Sequence, residues 1–222
     1  KHFHNVLCLS EAKGMDIKMI GSNIKNIVFD MGRVLLDYDP ALVARHAGAS
    51  EEETALIKKY LFGSEEWILL DKGTITEEEA IRRIQDRLPN ERLRKLAKEC
   101  LDCWHEYNIS PKPGMEKVVR DLKAKGYRMY VCSNASLRFR VFQNEIPGFS
   151  LMEGALVSAE EKLLKPDPAI YRRLFEKFDI RPEESFFIDD IQENIDGAKA
   201  CGMDGYCFAD GDVEKLREEL GI

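Results

Sequence analysis

The sequence lacks long apolar runs and an excess of basic residues. It has one close pair of cysteines, but no second pair of metal ligands at the spacing of a zinc site. Because about 20 consecutive apolar residues are needed to span a bilayer, we expect no membrane partner. A formal net charge of −7 leaves no basic field to attract nucleic acid. Scattered thiols are typical of a reducing compartment, and the N-terminus has no apolar signal core. The pattern predicts a soluble, cytoplasmic protein.

Neither internal repeats nor low-complexity tracts interrupt the chain. Its 222 residues, of which 44% are apolar, suffice for one domain or for a core with a modest insertion. Residues 1–23 show no clear period, and we interpret them as an N-terminal extension. Cys100 and Cys103 lie in a helical stretch, which argues against a zinc or redox site there.

Short apolar runs alternate with helical patterns through most of the chain. Buried strands without polar alternation are typical of a parallel sheet that is covered on both faces. Alternating strands and helices therefore predict a doubly wound, Rossmann-like α/β core. The apolar runs are 27–29, 127–133, 185–189 and 205–209, and the helical stretches are 114–125, 168–178 and 194–201.

One region, from about Ala41 to Tyr107, breaks this alternation because it carries only helical signatures. Ser50 with Glu53, and Thr76 with Glu79, have the spacing of capping boxes that open helices. The region is predicted to be a helical insertion into the α/β core.

We therefore divide the chain after the extension into a core, residues 24–38 and 109–222, and an inserted helical cap, residues 39–108. Trp67 and Trp104 both fall in the cap. We interpret them as the core of a small helical bundle rather than as ligand platforms.

Several polar residues are predicted at the carboxyl ends of strands, where ligands of parallel sheets bind. Any one of them could serve as a helix cap, a turn residue or a surface charge, but together they predict one site. They are Asp30, Ser133, Asn134, Asp189 and Asp190, with Lys165 in a nearby loop.

Four stretches of the sequence resemble the motifs of the haloacid dehalogenase superfamily of hydrolases. They are IVFDMGRVLLD, VCSN, KPDPAIY and FFIDDIQENIDGA, and they occur in the order of that family. The resemblance covers nearly everything from Lys25 to Asp210, and the helical insertion lies where the family carries a cap. It implies a phosphatase that acts on a small phosphorylated metabolite.

The resemblance also implies roles for individual residues. Asp30 would attack phosphorus and form an aspartyl-phosphate, which splits one difficult step into two. Ser133 and Asn134 would bind a phosphoryl oxygen, and Lys165 would neutralise the charge of the transferring group.

A magnesium ion is implied by the same resemblance. Asp30, Asp190 and the carbonyl of Gly32 would hold it, with Asp189 and Asn194 in support. Such oxygen ligands suit a hard, octahedral cation.

The sequence departs from the family at Gly32, where most of its phosphatases carry a second Asp. The carbonyl that binds the metal is retained, but the side chain that protonates the leaving group is absent. General acid–base catalysis contributes about 10² to 10⁴ in rate, so slow turnover is expected. Asp37 and Asp39 are candidates to replace the missing acid, although both are predicted beyond the loop.

Three alternatives remain open. The first is a protein that binds a phosphorylated ligand without turnover, which would be consistent with Gly32. The second is a metal-independent dehalogenase, which would not need Asp189 and Asp190. The third is a mutase, which would need the missing acid.

The run FDMGRVLLDYDP resembles a subgroup that includes sugar-phosphate phosphatases and lies near the phosphatase domains of epoxide hydrolases, so a sugar phosphate is a candidate substrate. Candidate substrate contacts are Asp37, Trp67, Asp71 and Arg138. No oligomeric state is indicated.

Overall fold

The computed structural model describes residues 20–222, so the predicted N-terminal extension lies almost wholly outside the described residues. The strands are β1 (Asn26–Phe29), β2 (Leu36–Tyr38), β3 (Ile109–Pro111), β4 (Arg128–Ser133), β5 (Gly154–Val157), β6 (Ser185–Asp189) and β7 (Asp204–Cys207). The α-helices are α1 (Leu42–His46), α2 (Glu51–Ile57), α3 (Glu65–Asp71), α4 (Glu77–Arg87), α5 (Glu91–Tyr107), α6 (Met115–Ala124), α7 (Phe139–Phe142), α8 (Ser158–Glu161), α9 (Pro168–Phe178), α10 (Gln192–Ala200) and α11 (Val213–Leu220).

Five parallel strands form the main sheet, in the order β5-β4-β1-β6-β7. Side chains of β1 alternate between its two faces, as a pleated strand requires. Ile27 and Phe29 belong to a buried cluster that includes residues of α6 and α11, whereas Val28 belongs to a second cluster with α9 and α10. The sheet is thus covered on both faces, and the predicted doubly wound α/β fold is confirmed.

Helices α1 to α5, here called the cap helices, lie between β2 and β3. These two short strands pair antiparallel, with Tyr38 opposite Ile109, and form a ribbon at the base of the insertion. Apolar side chains of the cap helices, among them Ile57 and Leu101, continue the cluster that begins under the sheet. The shared cluster packs the cap against the core, and the ribbon at the base of the insertion supports the division at 39–108, which stays a proposal.

Helix starts in the cap follow the predicted capping residues. Ser50 caps α2 with a complete capping box, in which the backbone N–H of Ser50 donates to Glu53 at 2.9 Å. Thr76 accepts from the backbone N–H of Glu79 at 3.2 Å. The Glu79 side chain, however, pairs with Arg83 one turn later, so only half of the second predicted box forms.

Between residues 20 and 222, no helix combines the length and the apolar character needed to cross a membrane.

Candidate active site

Three strand ends meet at the centre of the sheet's carboxyl edge. In the register of the sheet, Phe29 of β1 lies beside Val131 of β4 on one side and Ile188 of β6 on the other. Asp30, which follows β1, is therefore flanked by Ser133 and Asp189 at the ends of the neighbouring strands. All three are buried.

Lys165 reaches this edge from its loop and is 5% exposed. Its Nζ lies 2.9 Å from Asp30 Oδ1 and 2.6 Å from Asp189 Oδ2. This short bridge brings together the predicted nucleophile, the predicted lysine and an acid of the fourth motif. The ammonium thus lies where it can meet negative charge that develops on a group bound to Asp30.

The side chain of Asn134 holds the Lys165 loop in place. Asn134 Oδ1 accepts from the backbone N–H of Lys165 at 2.8 Å, and Asn134 Nδ2 donates to the Lys165 carbonyl at 3.0 Å. Asn134 therefore has only its second amide hydrogen available for the predicted contact with a phosphoryl oxygen. Its observed partners make it a positioning residue for Lys165.

The carboxylate of Asp189 is engaged by three donor groups. Its Oδ1 accepts from the backbone N–H of Ile191 at 2.9 Å and from Asn194 at 3.0 Å, and its Oδ2 accepts from Lys165 at 2.6 Å and from Asn194 at 3.1 Å. Its carboxylate does lie within 4.8 Å of those of Asp30 and Asp190. These three donor groups fit the supporting place that the resemblance implies for Asp189 beside the metal, and they make it a buried support for Lys165 as well; its part in metal binding stays a prediction.

The carboxyl groups of the site carry more negative charge than Lys165 offsets. Burial, reinforced by the nearby charge of Asp189, raises the pKa of Asp30 to about 6 although Lys165 lowers it. Burial and Asp189 also raise the pKa of Asp190. Burial alone would lower the pKa of Lys165, but Asp30 and Asp189 outweigh it and raise that pKa above its usual value. Three acids around one ammonium favour the binding of a cation.

Gly32 leaves open space beside the nucleophile. A Cβ built there would meet no described atom within 4 Å, and its φ is not among the positive values of the chain. The backbone would therefore accept a larger residue. The two candidates to replace its missing side chain are engaged elsewhere, because Asp37 pairs with Lys112 at 2.7 Å and Asp39 accepts from the backbone N–H of Ala41 at 2.9 Å.

A cavity of about 200 Å³ opens above Asp30 and Ser133. Aromatic side chains from the end of β2, from the cap and from the segment after β4 form much of its wall, and Asp71 of α3 also lines it. The aromatic residues are Tyr38, Phe62, Trp67, Trp104, Phe139 and Phe142.

The two tryptophans, Trp67 and Trp104, pack in the bundle and also line the cavity. Their ring centroids are 5.3 Å apart in an edge-to-face contact, as expected for a bundle core, yet both also face the cavity. The interpretation of these residues as core alone was therefore too narrow. Of the other candidate substrate contacts, Arg138 is engaged with Glu77 and donates to the carbonyl of Asp102 at 2.7 Å. Asp71 is the one of them with an ionisable side chain at the cavity.

Comparison with known proteins places this geometry in a family. Residues 24–202 match the family model of haloacid dehalogenase-like hydrolases. A sesquiterpene phosphatase of Aspergillus oryzae is 26% identical over 90% of this chain and 98% of its own length. A flavin mononucleotide hydrolase of Arabidopsis thaliana is 27% identical over 70% of this chain and 62% of its own length.

The fold is also similar to that of solved structures of this family. A crystal structure of a haloacid dehalogenase family enzyme from Bacteroides thetaiotaomicron, in complex with magnesium and inorganic phosphate, superposes with a TM-score of 0.63. It is 23% identical, and the match covers 82% of this chain and 93% of that one. The prediction of a phosphatase-type hydrolase is confirmed by the family model and by the two phosphatase relatives. The chain belongs to the haloacid dehalogenase-like hydrolase family.

Proposed function

We propose that this hydrolase cleaves phosphomonoesters with the aid of magnesium, through an aspartyl-phosphate on Asp30. The observation that carries the proposal is the bridge from Lys165 to Asp30 and Asp189, at 2.9 and 2.6 Å, on the carboxyl edge of the sheet. The substrate is a small phosphorylated metabolite, and a cytoplasmic location remains a prediction from the cysteine pattern.

The residues of the site fit a magnesium ion. Asp30 Oδ1 is buried and lies 2.9 Å from Lys165 Nζ, but it accepts no well-oriented hydrogen bond from the described residues. With Asp190 and the carbonyl of Gly32 it would supply the oxygen ligands that magnesium prefers. When bound, the ion supplies positive charge that offsets the negative charge of the phosphoryl group and of the acids.

The residues of the chain divide the chemistry among themselves. The Asp30 carboxylate attacks phosphorus, and the Ser133 hydroxyl, at the end of the adjacent strand, donates to a phosphoryl oxygen. Lys165 neutralises charge on the transferring group, where electrostatic stabilisation dominates phosphoryl transfer. Asp189 accepts a hydrogen bond from the Lys165 ammonium, and Asn194 in turn donates to Asp189, so the two residues keep the ammonium in place.

Removal of magnesium is expected to abolish turnover. A metal ion in such a site contributes several kcal/mol, so EDTA should reduce the rate by about 10²-fold or more. Adding magnesium back should restore the rate, whereas calcium, which binds with longer and less regular coordination, should restore much less. Full activity after exhaustive chelation would contradict a metal-assisted mechanism.

The cavity wall favours a leaving group with an apolar or aromatic surface. Apolar cavities of about 150 Å³ bind benzene, so the observed volume suits one ring or a short hydrocarbon chain. The two curated relatives are named for a sesquiterpene and a flavin mononucleotide, which also present such surfaces. A sugar phosphate, suggested by the subgroup resemblance alone, remains the competing substrate class.

A comparison of benzyl phosphate with glucose 1-phosphate tests the substrate class. We expect kcat/KM to be about 10-fold or more higher for benzyl phosphate, because burial of apolar groups contributes 1–3 kcal/mol to such discrimination. Trp67→Ala should remove most of this preference through KM, and Asp30→Asn serves as the blank. Preference for the sugar ester would assign the aromatic wall to the core and favour a sugar-phosphate phosphatase.

The structure also bears on two of the alternatives from the sequence. A dehalogenase without metal would hold Asp30, Asp189 and Asp190 against a single ammonium, which is an unfavourable balance of buried charge. A binding protein without turnover would be consistent with the empty space at Gly32. Magnesium-dependent hydrolysis of 4-nitrophenyl phosphate that is lost in Asp30→Asn would rule out both.

A further inference from the structure

The leaving group needs a proton, and Gly32 supplies no side chain to give it. Among the described residues that line the cavity above Asp30, only Tyr38 and Asp71 have other ionisable side chains. Burial raises the pKa of Tyr38 above its usual value, which makes it a weaker acid than an ordinary tyrosine. Asp71 is the remaining candidate.

Asp71 is held on the core by its backbone. It is the last residue of α3, and its carbonyl accepts a hydrogen bond from the hydroxyl of Ser158, a fully buried residue of α8. The same hydroxyl accepts from the backbone N–H of Ala135, two residues after β4, at 2.9 Å. The end of α3 is thereby tied to the strand end that carries Ser133.

A close approach at Gly73 fixes the same contact. Gly73 has a φ of +70°, and a Cβ built there would lie 2.1 Å from the carbonyl oxygen of Ala159. Only glycine permits the chain to turn so tightly against α8. The cap residue Asp71 therefore has a fixed position in the wall of the cavity that opens above Asp30.

We propose that Asp71 is the catalytic acid and base of this enzyme, in place of the side chain that Gly32 lacks. The proposal rests on the proposed phosphatase function and adds a residue from the cap to its machinery. Asp71 lines the cavity with Asp30, is partly exposed to it, and belongs to an element that is anchored on the core.

The protonation state of Asp71 suits this role. Burial, with a contribution from the charge of Asp30, raises its pKa to about 8, while the backbone N–H of Ser136 lowers it somewhat. Its position at the carboxyl end of α3 acts in the same direction, because the helix dipole disfavours negative charge there. Near neutral pH the carboxyl group is mostly protonated and can donate.

The two half-reactions balance with Asp71 as the only proton carrier. As Asp30 forms a bond to phosphorus, the bond to the leaving oxygen breaks, and the Asp71 carboxyl passes its proton to that oxygen and releases an alcohol. In the second step the Asp71 carboxylate takes a proton from water, whose oxygen attacks phosphorus and displaces the Asp30 carboxylate. Inorganic phosphate leaves, and Asp71 is again protonated.

The test compares Asp71→Asn on two substrates that differ in how much they need the acid. On benzyl phosphate, whose alkoxide leaves poorly, kcat should fall by about 10² to 10⁴-fold. On 4-nitrophenyl phosphate, whose leaving group needs no proton, the single-turnover rate of nitrophenol release should fall by less than about 10-fold. Asp102→Asn is the matched control, because Asp102 is an exposed acid on cap helix α5 that pairs with Lys98.

Equal losses on both substrates would reduce Asp71 to a structural residue and overturn the proposal, as would an unchanged rate on benzyl phosphate. Turnover of 4-nitrophenyl phosphate by the wild-type enzyme and its loss in Asp30→Asn establish the phosphatase function separately. Circular dichroism and a thermal midpoint close to that of the wild type exclude misfolding of Asp71→Asn.

A second variant, Gly32→Asp, uses the open space beside the nucleophile. Combined with Asp71→Asn, it should raise turnover of benzyl phosphate by about 10-fold or more, whereas in the wild type it should change the rate little, since only one acid is needed. An equal factor in both backgrounds would show that the two positions act independently, and would overturn the assignment of Asp71.

Discussion

Replacing Asp30 with asparagine is expected to reduce hydrolysis of every phosphomonoester by about 10⁴-fold or more. The amide has nearly the shape of the carboxylate but is not a nucleophile, so the covalent step is lost while the cavity remains. Substrate binding should persist, and isothermal titration with a slowly reacting ester should give a Kd within a few-fold of the wild-type value.

The fold should tolerate this change. Burial disfavours the ionised form of Asp30 and raises its pKa to about 6, so a neutral side chain at this position removes an unfavourable buried charge. Lys165 keeps its partner Asp189 when residue 30 is neutral. The thermal midpoint of Asp30→Asn should therefore equal or exceed that of the wild type, which separates loss of chemistry from loss of structure. Residual activity above about one per cent with a pure preparation would assign the nucleophile to another residue.

Lys165→Met is expected to damage both stability and catalysis. The Lys165 side chain is 1% exposed and that of Asp189 is 0% exposed, so removal of the ammonium leaves Asp189 buried without its counter-ion. Breaking a buried pair in this way costs about 3–5 kcal/mol of unfolding free energy. Loss of a preorganised group that stabilises the transition state should lower kcat by a further 10² to 10³-fold, approximately.

The matched control for stability is Lys98→Met. Lys98 pairs with Asp102 on the surface of α5, with side-chain exposures of 51% and 52%, and such pairs contribute about 1 kcal/mol or less. Urea unfolding at neutral pH measures both variants. Similar free energies of unfolding for the two would show that the bridge from Lys165 to Asp189 does not organise the core of the site.

The sheet could be predicted where the sequence carries a local signal. Strands β1, β4 and β6 are short apolar runs that end in polar residues, and each prediction agrees with the structure within a residue at either end. Strand β5 was not predicted, because four residues that begin with a glycine give too short a pattern. The ribbon of β2 and β3 was missed for the same reason, and Pro111 in β3 is an additional counter-signal.

The sequence could predict which residues form the site, but not the hydrogen bonds that they make with one another. Strand ends identify Asp30, Ser133 and Asp189 because parallel strands converge on one edge. The sequence has no signal for which donors occupy the oxygens of Asp189, or for the use of Asn134 as a clamp on the Lys165 loop. These depend on side-chain geometry that forms only after the strands have aligned.

Residues of the cap present a harder problem. Asp71 reaches the cavity because the end of α3 is tied to Ser158 of α8, 87 positions away in sequence. The contact is made by the end of the helix, so the apolar side chains of α3 give no signal for it. The tryptophans show the converse, because Trp104 has helical spacing typical of a core and nevertheless contributes to the cavity wall.

Chemical trapping of the covalent intermediate tests the role of Asp30 most directly. The enzyme would be mixed with magnesium and 4-nitrophenyl phosphate, quenched in acid during turnover and reduced with borohydride, which converts an aspartyl-phosphate to homoserine. We predict homoserine at position 30 by peptide mass spectrometry, and none without substrate. An unmodified Asp30 under conditions of verified turnover, or the reduced residue at any other position, would contradict nucleophilic catalysis by Asp30.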